Sequence, residues 1–210
     1  MEPLMLQGKL SKADIIAEAR NLMDTVGIAK RFAKSYPHEL DGGRRQRIGV
    51  ARALALKPKF IVCDEPVSAL DVSIQAQIIN LMLDLQEERG IAYMFVTHDL
   101  SVVKYISEDV MVMYLGQMVE KAASDELFIN PLHPYTKALL SAIPVPNLRD
   151  QTERIIMQGE LTSPVNPKPG CRFMARCQYA SEECAEPQVL EEHAPDHFVA
   201  CCKYKALENN

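Results

Sequence analysis

Phe60-Ile61-Val62-Cys63-Asp64-Glu65-Pro66 is a short apolar run that stops on two adjacent acids and a proline. Such a run reads as a strand buried on both faces of a parallel sheet. Further on, Ala92 to Val96 repeats the pattern and runs into Thr97-His98-Asp99. Between the two, Ser68 to Asp71 reads as a turn. Ser73 to Arg89 reads as a helix, with Ile74, Ile78, Leu81, Met82 and Leu85 at helical spacing and Gly90 in the C-cap position. Strand, helix and strand in succession predict an α/β fold around a parallel sheet. A third strand is expected at Val110 to Tyr114, turning at Gly116 into Met118 to Glu120.

In an open parallel sheet, ligands bind beyond the carboxyl ends of the strands, where Asp64, Glu65 and His98 stand. Adjacent acids there suit two tasks. One carboxylate holds a divalent metal, directly or through a water, and the other accepts a proton from an attacking water. His98 is placed to donate a hydrogen bond to a phosphoryl oxygen. Taken singly, the same residues also suit a polar strand terminus and a structural histidine, and Asp71 suits a helix N-terminus for its charge alone.

Working toward the N-terminus, Leu40-Asp41-Gly42-Gly43-Arg44-Arg45-Gln46-Arg47 opens a helical pattern that runs from Arg44 to Leu56 and ends at Lys57-Pro58. Two glycines at a helix start let the backbone approach an anion closely, although Gly-Gly alone also fits an ordinary loop. Before it lies a polar stretch, Lys30 to Glu39. Earlier still, Ser11-Lys12-Ala13-Asp14 caps a helix whose apolar face is Ile15, Ala19, Leu22, Met23 and Val26, stopped by Gly27. The residues before Gly8 show no pattern.

Composition narrows the function classes. In 210 residues, 48% hydrophobic and 24% charged describes a globular chain, with no stretch of ~18 apolar residues to span a bilayer. A net charge of -5 gives no electrostatic footprint for nucleic acid. No two of the nine glycines are five apart, so the phosphate-cradling G-x-x-x-x-G-K-[ST] loop is absent from the sequence. Without a basic-then-apolar leader, the chain is expected to be cytosolic.

Together, Leu40 to Arg47, Ala51-Arg52-Ala53-Leu54, Phe60 to Pro66, Ser68-Ala69-Leu70-Asp71 and Thr97-His98-Asp99 resemble, in order and spacing, an ABC-type ATPase domain from its signature motif onward. The resemblance implies that Leu40, Asp41, Gly42, Gly43 and Arg44 form the signature loop. It makes Asp64 the Walker B carboxylate on the Mg²⁺ side, Glu65 the catalytic base, Asp71 the D-loop acid and His98 the switch histidine, with ATP and Mg²⁺ as cofactors. Tyr36-Pro37-His38-Glu39, Pro131-Leu132-His133-Pro134-Tyr135-Thr136 and a cysteine-containing tail are similar to the ATP-binding subunits of dipeptide and oligopeptide importers, in particular their F-type member. A nickel or other small-solute importer is the alternative. The partners implied are a second ABC ATPase subunit in a heterodimer, two membrane permeases and, indirectly, a peptide-binding protein, with the chain peripheral on the inner face of the plasma membrane.

Two departures stand out. The family's signature has Ser where Asp41 stands and Gln where Arg44 stands, and Asp41 would bring a like charge toward a γ-phosphate. At an effective dielectric near 20, two such charges ~4 Å apart repel by about 4 kcal/mol, unless Arg44 or Arg45 screens Asp41 or its side chain turns away. The family's phosphate loop and Q-loop have no match, so the chain is expected to be an N-terminally truncated ATPase domain that grips ATP poorly alone. A non-catalytic subunit supplying only its signature loop and docking surface is the competing expectation.

The domain boundary is expected near residue 147, after Pro144 and Pro146, giving a partial ATPase domain over 1–147 and a loop-rich module over 148–210. A module with so little core needs a staple. Cys171, Cys177, Cys184 and Cys201 resemble the cysteines of family members that carry a [4Fe-4S] cluster, which needs four thiolates. Unliganded thiols, a disulfide or zinc are the other readings, with Cys202 the spare. His193 and His197 are expected on the surface.

Overall fold

The computed structural model describes residues 1–143, 154–160, 163, 165–167 and 169–207. The chain divides into two compact units, Met1–Asp99 and Leu100–Asn210.

The first unit contains α1 (Glu2–Gln7), α2 (Lys12–Thr25), α3 (Gly42–Leu54), β1 (Phe60–Asp64), α4 (Val72–Arg89) and β2 (Ala92–Val96). Ser11 caps α2 as its sequence indicates, its hydroxyl accepting from Asp14 N at 3.2 Å. Left-handed Gly90 ends α4. One helix lies where no pattern was expected: α1, framed by Pro3 in its first turn and left-handed Gly8 after its end, buries Leu4. β1 and β2 pair in parallel, from Phe60 opposite Ala92 to Asp64 opposite Val96. Ile61 and Tyr93 pack against a core of Leu22, Val26, Leu54, Leu85 and Ile91. The opposite face differs from the expectation of a strand buried on both sides, since Phe60, Val62, Met94 and Val96 are 47–55% exposed. Alternate residues of a strand point to opposite faces, and here the core lies against one of them.

The second unit contains α5 (Leu100–Ile106), β3 (Asp109–Tyr114), β4 (Gln117–Ala123), α6 (Ser124–Ile129), α7 (Pro134–Ser141), β5 (Glu191–Ala194), β6 (His197–Val199) and α8 (Tyr204–Leu207). The third strand of the sequence does not extend the parallel sheet. It belongs to a four-stranded antiparallel sheet of order β3-β4-β6-β5. The reason is local: Leu115 and Gly116 have φ of 47° and 76°, a two-residue hairpin turn that can only reverse the chain. The Arg172 guanidinium donates to Leu115 O and holds the turn. Residue 147, where the boundary was expected, lies outside the described residues. β6, from the tail, pairs with β4 through Glu120 opposite Val199, so the cysteine-bearing segment contributes strands to this sheet. Among the described residues no helix is long and apolar enough to cross a membrane.

Candidate functional site

The carboxyl ends of the two parallel strands bring Glu65 and His98 together. Glu65 N donates to Val96 O at 2.8 Å, carrying the sheet pairing one residue past β1. There the backbone turns, with Glu65 at φ 44°, a left-handed conformation that costs a non-glycine residue of order 1 kcal/mol. Ser68 steadies it, its hydroxyl donating to Glu65 O at 3.2 Å. The strained turn holds the Glu65 side chain at the strand end, where Oε1 lies 3.1 Å from His98 Nδ1. Both side chains reach solvent, His98 at 73% and Glu65 at 49% exposure. Hydrogen bonds from His98 first and Ser68 second hold the Glu65 carboxyl below the usual glutamate range. The carboxylate is therefore ionised at neutral pH and open to solvent. Asp64 precedes it as the exposed last residue of β1. Behind the turn, Gln75 of α4 donates to Asp99 Oδ2 at 3.3 Å.

The second constellation is the loop at the start of α3. Asp41 caps this helix, Oδ1 accepting from Arg44 N at 2.8 Å, and its other oxygen pairs with the Arg44 guanidinium. The same guanidinium sits 4.6 Å from the Phe32 ring centroid, a cation–π contact from the polar stretch before the loop. Thus the two unusual residues of this loop neutralise each other. Asp71 caps α4 in the same way, through Ile74 N at 2.9 Å.

The two glycines have a packing role. A Cβ on Gly43 would stand 2.6 Å from Ile74 Cγ2, and one on Gly42 would stand 3.2 Å from Leu70 Cδ2. Leu70 and Ile74 flank Asp71, so the absence of side chains at 42 and 43 lets the start of α3 sit against the start of α4. Leu40 is buried just before. Gly42 and Gly43 thereby approach Leu70 and Ile74 closely, a role that neither of the sequence readings, anion approach or ordinary loop, had given them.

The tail thiols lie within electrostatic reach of one another, Cys177 of Cys171 and Cys184, and Cys201 of Cys171 and Cys177. Among the described residues no group of three or more His, Cys, Asp or Glu side chains comes together to hold a metal ion. Cys201 packs instead against Leu132, Val199 and Tyr204, and burial pushes its thiol up to about 12. Burial likewise raises Cys171 and Cys177. A [4Fe-4S] cluster needs four thiolates converging on one point, and no such convergence is present among the described residues.

Two residues of consequence have no sequence signal. Glu120 and His197 are each no more than 1% exposed, His197 contrary to its expected place on the surface, and they touch each other. His193 is half-buried against the Tyr204 ring, 4.9 Å between centroids. Nothing in the spacing of Glu120 separates it from an outward-facing strand residue.

Residues 4–68 match the family described as ABC transporter, and residues 119–184 match Oligopeptide/dipeptide transporter, C-terminal region. The dipeptide transport ATP-binding protein DppF of Haemophilus influenzae is 52% identical over 203 residues, covering 95% of this chain and 62% of its own length. The oligopeptide transport ATP-binding protein AppF of Bacillus subtilis is 53% identical over 207 residues, 97% of this chain and 63% of its own. The chain thus spans a little over six tenths of the length of these relatives. Among solved structures, cbiO1 from Clostridium perfringens, part of the ABC transporter complex cbiONQ, superposes with a TM-score of 0.52 at 29% identity over 58% of this chain and 48% of that one. An ATP-binding cassette of an ABC transporter in its ADP conformation gives a TM-score of 0.56 at 22% identity over 64% of this chain and 52% of that one, a likeness of fold.

Proposed function

Because this chain belongs to the ATP-binding proteins of ABC transporters, in the group with the oligopeptide/dipeptide C-terminal region, we propose that it is the ATP-hydrolysing subunit of an importer of di- or oligopeptides. The observation that carries the reading is the contact of Glu65 with His98 at the ends of adjacent parallel strands. Glu65 is the proton acceptor for the attacking water. His98 orients Glu65 and meets the transferred phosphoryl group.

The donor set suits the cofactors. Mg²⁺ is bound through one or two carboxylates plus water and phosphate oxygens rather than by an all-protein cage, so Asp64 suffices on the protein side. Mg²⁺ bound with ATP supplies charge neutralisation at the phosphates. Leu40 to Arg44 and Asp71 form the surface offered to a nucleotide held by a second ATP-binding subunit. In that setting the Asp41–Arg44 pair presents a neutral face, which removes the repulsion that Asp41 alone would bring. In this reading the working unit pairs the chain with a second ATP-binding subunit in a heterodimer. Two permeases, served by a peptide-binding protein, complete it, with this chain on the inner face of the membrane.

The test is Glu65→Gln in the assembled transporter. Peptide-stimulated phosphate release should fall roughly 10²–10⁴-fold, the range for loss of a general base, with ATP binding retained. Unchanged turnover would remove Glu65 from the role.

A further inference from the structure

Helix α2 and the segment that follows it enclose a basic pocket. Arg20, Met23 and Asp24 stand three and four residues apart, on one face of α2. Left-handed Gly27 then turns the chain, with Ile28 N donating back to Met23 O at 2.8 Å and Val26 and Ile28 buried on either side. The backbone next closes into a 3₁₀ turn, Lys30–Lys34, which brings Arg31 and Lys34 to the same side. Between the two elements lies a concave pocket of about 410 Å³, lined by Arg20, Asp24, Lys30, Arg31 and Lys34 with Met23 as an apolar contact. Met23 and Phe32 pack against the core, and the Arg31 guanidinium lies 4.9 Å from the Phe32 ring centroid, so both walls are anchored. Among the described residues, no hydrogen bond or ion pair engages the side chains of Arg20, Lys30 or Lys34.

Four cations thus face one acid around a single cavity, in a chain whose net charge is -5. Like charges held this close repel one another. A bound anion relieves that repulsion, and the concave walls concentrate the field on it. We propose that the pocket between α2 and Lys30–Lys34 is a binding site for phosphate groups, presented by a soluble phosphorylated compound or by anionic phospholipid headgroups. The guanidinium groups of Arg20 and Arg31 match phosphate oxygens two at a time, and the ammonium groups of Lys30 and Lys34 add point charge. The volume lies in the range of small-ligand sites, larger than one phosphate ion needs. Asp24 works against any anion here, which gives the site a signed test. The pocket shares no lining residue with the strand-end pair of Glu65 and His98 or with the loop at Leu40 to Arg44.

The purified full chain is titrated with pyrophosphate, followed by amide NMR, and separately floated with phosphatidylcholine vesicles containing phosphatidylglycerol. Binding to at least one probe is expected, with pyrophosphate moving the amide signals of residues 20–34. Lys30→Glu combined with Lys34→Glu, both at exposed positions outside the core, should weaken binding about 10-fold or more. Asp24→Asn should tighten it about 2-fold or more. Lys9→Glu combined with Lys59→Glu makes the same change of net charge at exposed positions outside the pocket and should leave binding nearly unchanged. Flotation that depends on Lys30 and Lys34 assigns the lipid headgroup, and pyrophosphate binding without flotation assigns the soluble source. Failure of both probes to bind would overturn the proposal. So would binding that survives the exchange at Lys30 and Lys34, or that the exchange at Lys9 and Lys59 weakens as much.

Discussion

His197 on β6 sets its Nε2 2.8 Å from Glu120 Oε1 on β4, with both side chains shut away from solvent. Glu120 also accepts the backbone N–H groups of Leu132 at 2.7 Å and His133 at 2.9 Å, and Glu126 Oε1 lies 3.6 Å from the other ring nitrogen of His197. One buried carboxylate thus fixes the segment before α7 and the tail strand to the same point of the sheet. Glu120→Ala should destabilise the chain by about 3–5 kcal/mol, because it strands two buried N–H groups and a buried imidazole. Glu120→Gln keeps the shape and should cost less. Urea unfolding measures both, and a loss below about 1 kcal/mol for the alanine variant would show that the cluster is not what holds the tail.

His133 makes the same region sensitive to acid. It caps α7, Nδ1 accepting from Tyr135 N at 3.0 Å, and burial lowers its pKa from 6.5 to about 4. The sign follows from proton binding. Between pH 6.5 and about 4 the unfolded chain binds the proton and the folded chain does not. This contribution is therefore complete above pH 6.5 and is lost as pH falls toward 4, amounting to about 3 kcal/mol. His133→Asn keeps a capping acceptor without the titration. Unfolding free energies at pH 7 and pH 5 should converge in this variant relative to the parent, and an equal pH dependence in both would count against the assignment.

How far these features could be read beforehand depended on whether they were local. Ser11, Gly27 and Gly90 mark helix ends through their own side chains or their own φ, and each stands where its sequence neighbourhood indicates. Leu115 and Gly116 set the hairpin, yet Leu115 carries no turn signal, so Val110 to Tyr114 reads equally well as a parallel strand. At the strand ends, Glu65 and His98 lie 33 residues apart in sequence and were legible because each closes its own apolar run. Glu120 and His197, 77 residues apart, close nothing, and their pairing exists only once β6 lies beside β4. That Cys184 Sγ lies 3.7 Å from Cys202 while Cys201 packs against Leu132, Val199 and Tyr204 turns on which way two adjacent side chains point, which spacing cannot specify.

The electrostatic link between Glu65 and His98 can be measured without the rest of a transporter. Its main cause is the hydrogen bond to His98, so His98→Ala should move the Glu65 pKa upward toward the ordinary glutamate value. Carboxyl carbon NMR across an acid titration follows this directly. Because both side chains are substantially exposed, overall stability should hardly change, which separates this effect from a folding defect. An unmoved Glu65 titration in His98→Ala would mean that the contact does not persist in solution.

Gly43, at the start of α3, offers the sharpest contest between two effects. Replacing a helical glycine by alanine gains roughly 0.5–1 kcal/mol by restricting the unfolded chain. At Gly43 the new methyl would meet Ile74 Cγ2 at 2.6 Å, and that atom is branched directly from the Ile74 Cβ and cannot swing aside like the end of a long side chain. Overpacking of this kind costs typically 1–3 kcal/mol, so Gly43→Ala should be net destabilising by about 1–2 kcal/mol. Ile74→Ala removes the obstacle. In the double variant the alanine at 43 should turn from a loss to neutral or a gain relative to Ile74→Ala alone, a coupling of at least about 1 kcal/mol in a double-mutant cycle. Additive effects would mean that Gly43 is required for something other than the close approach of α3 to α4.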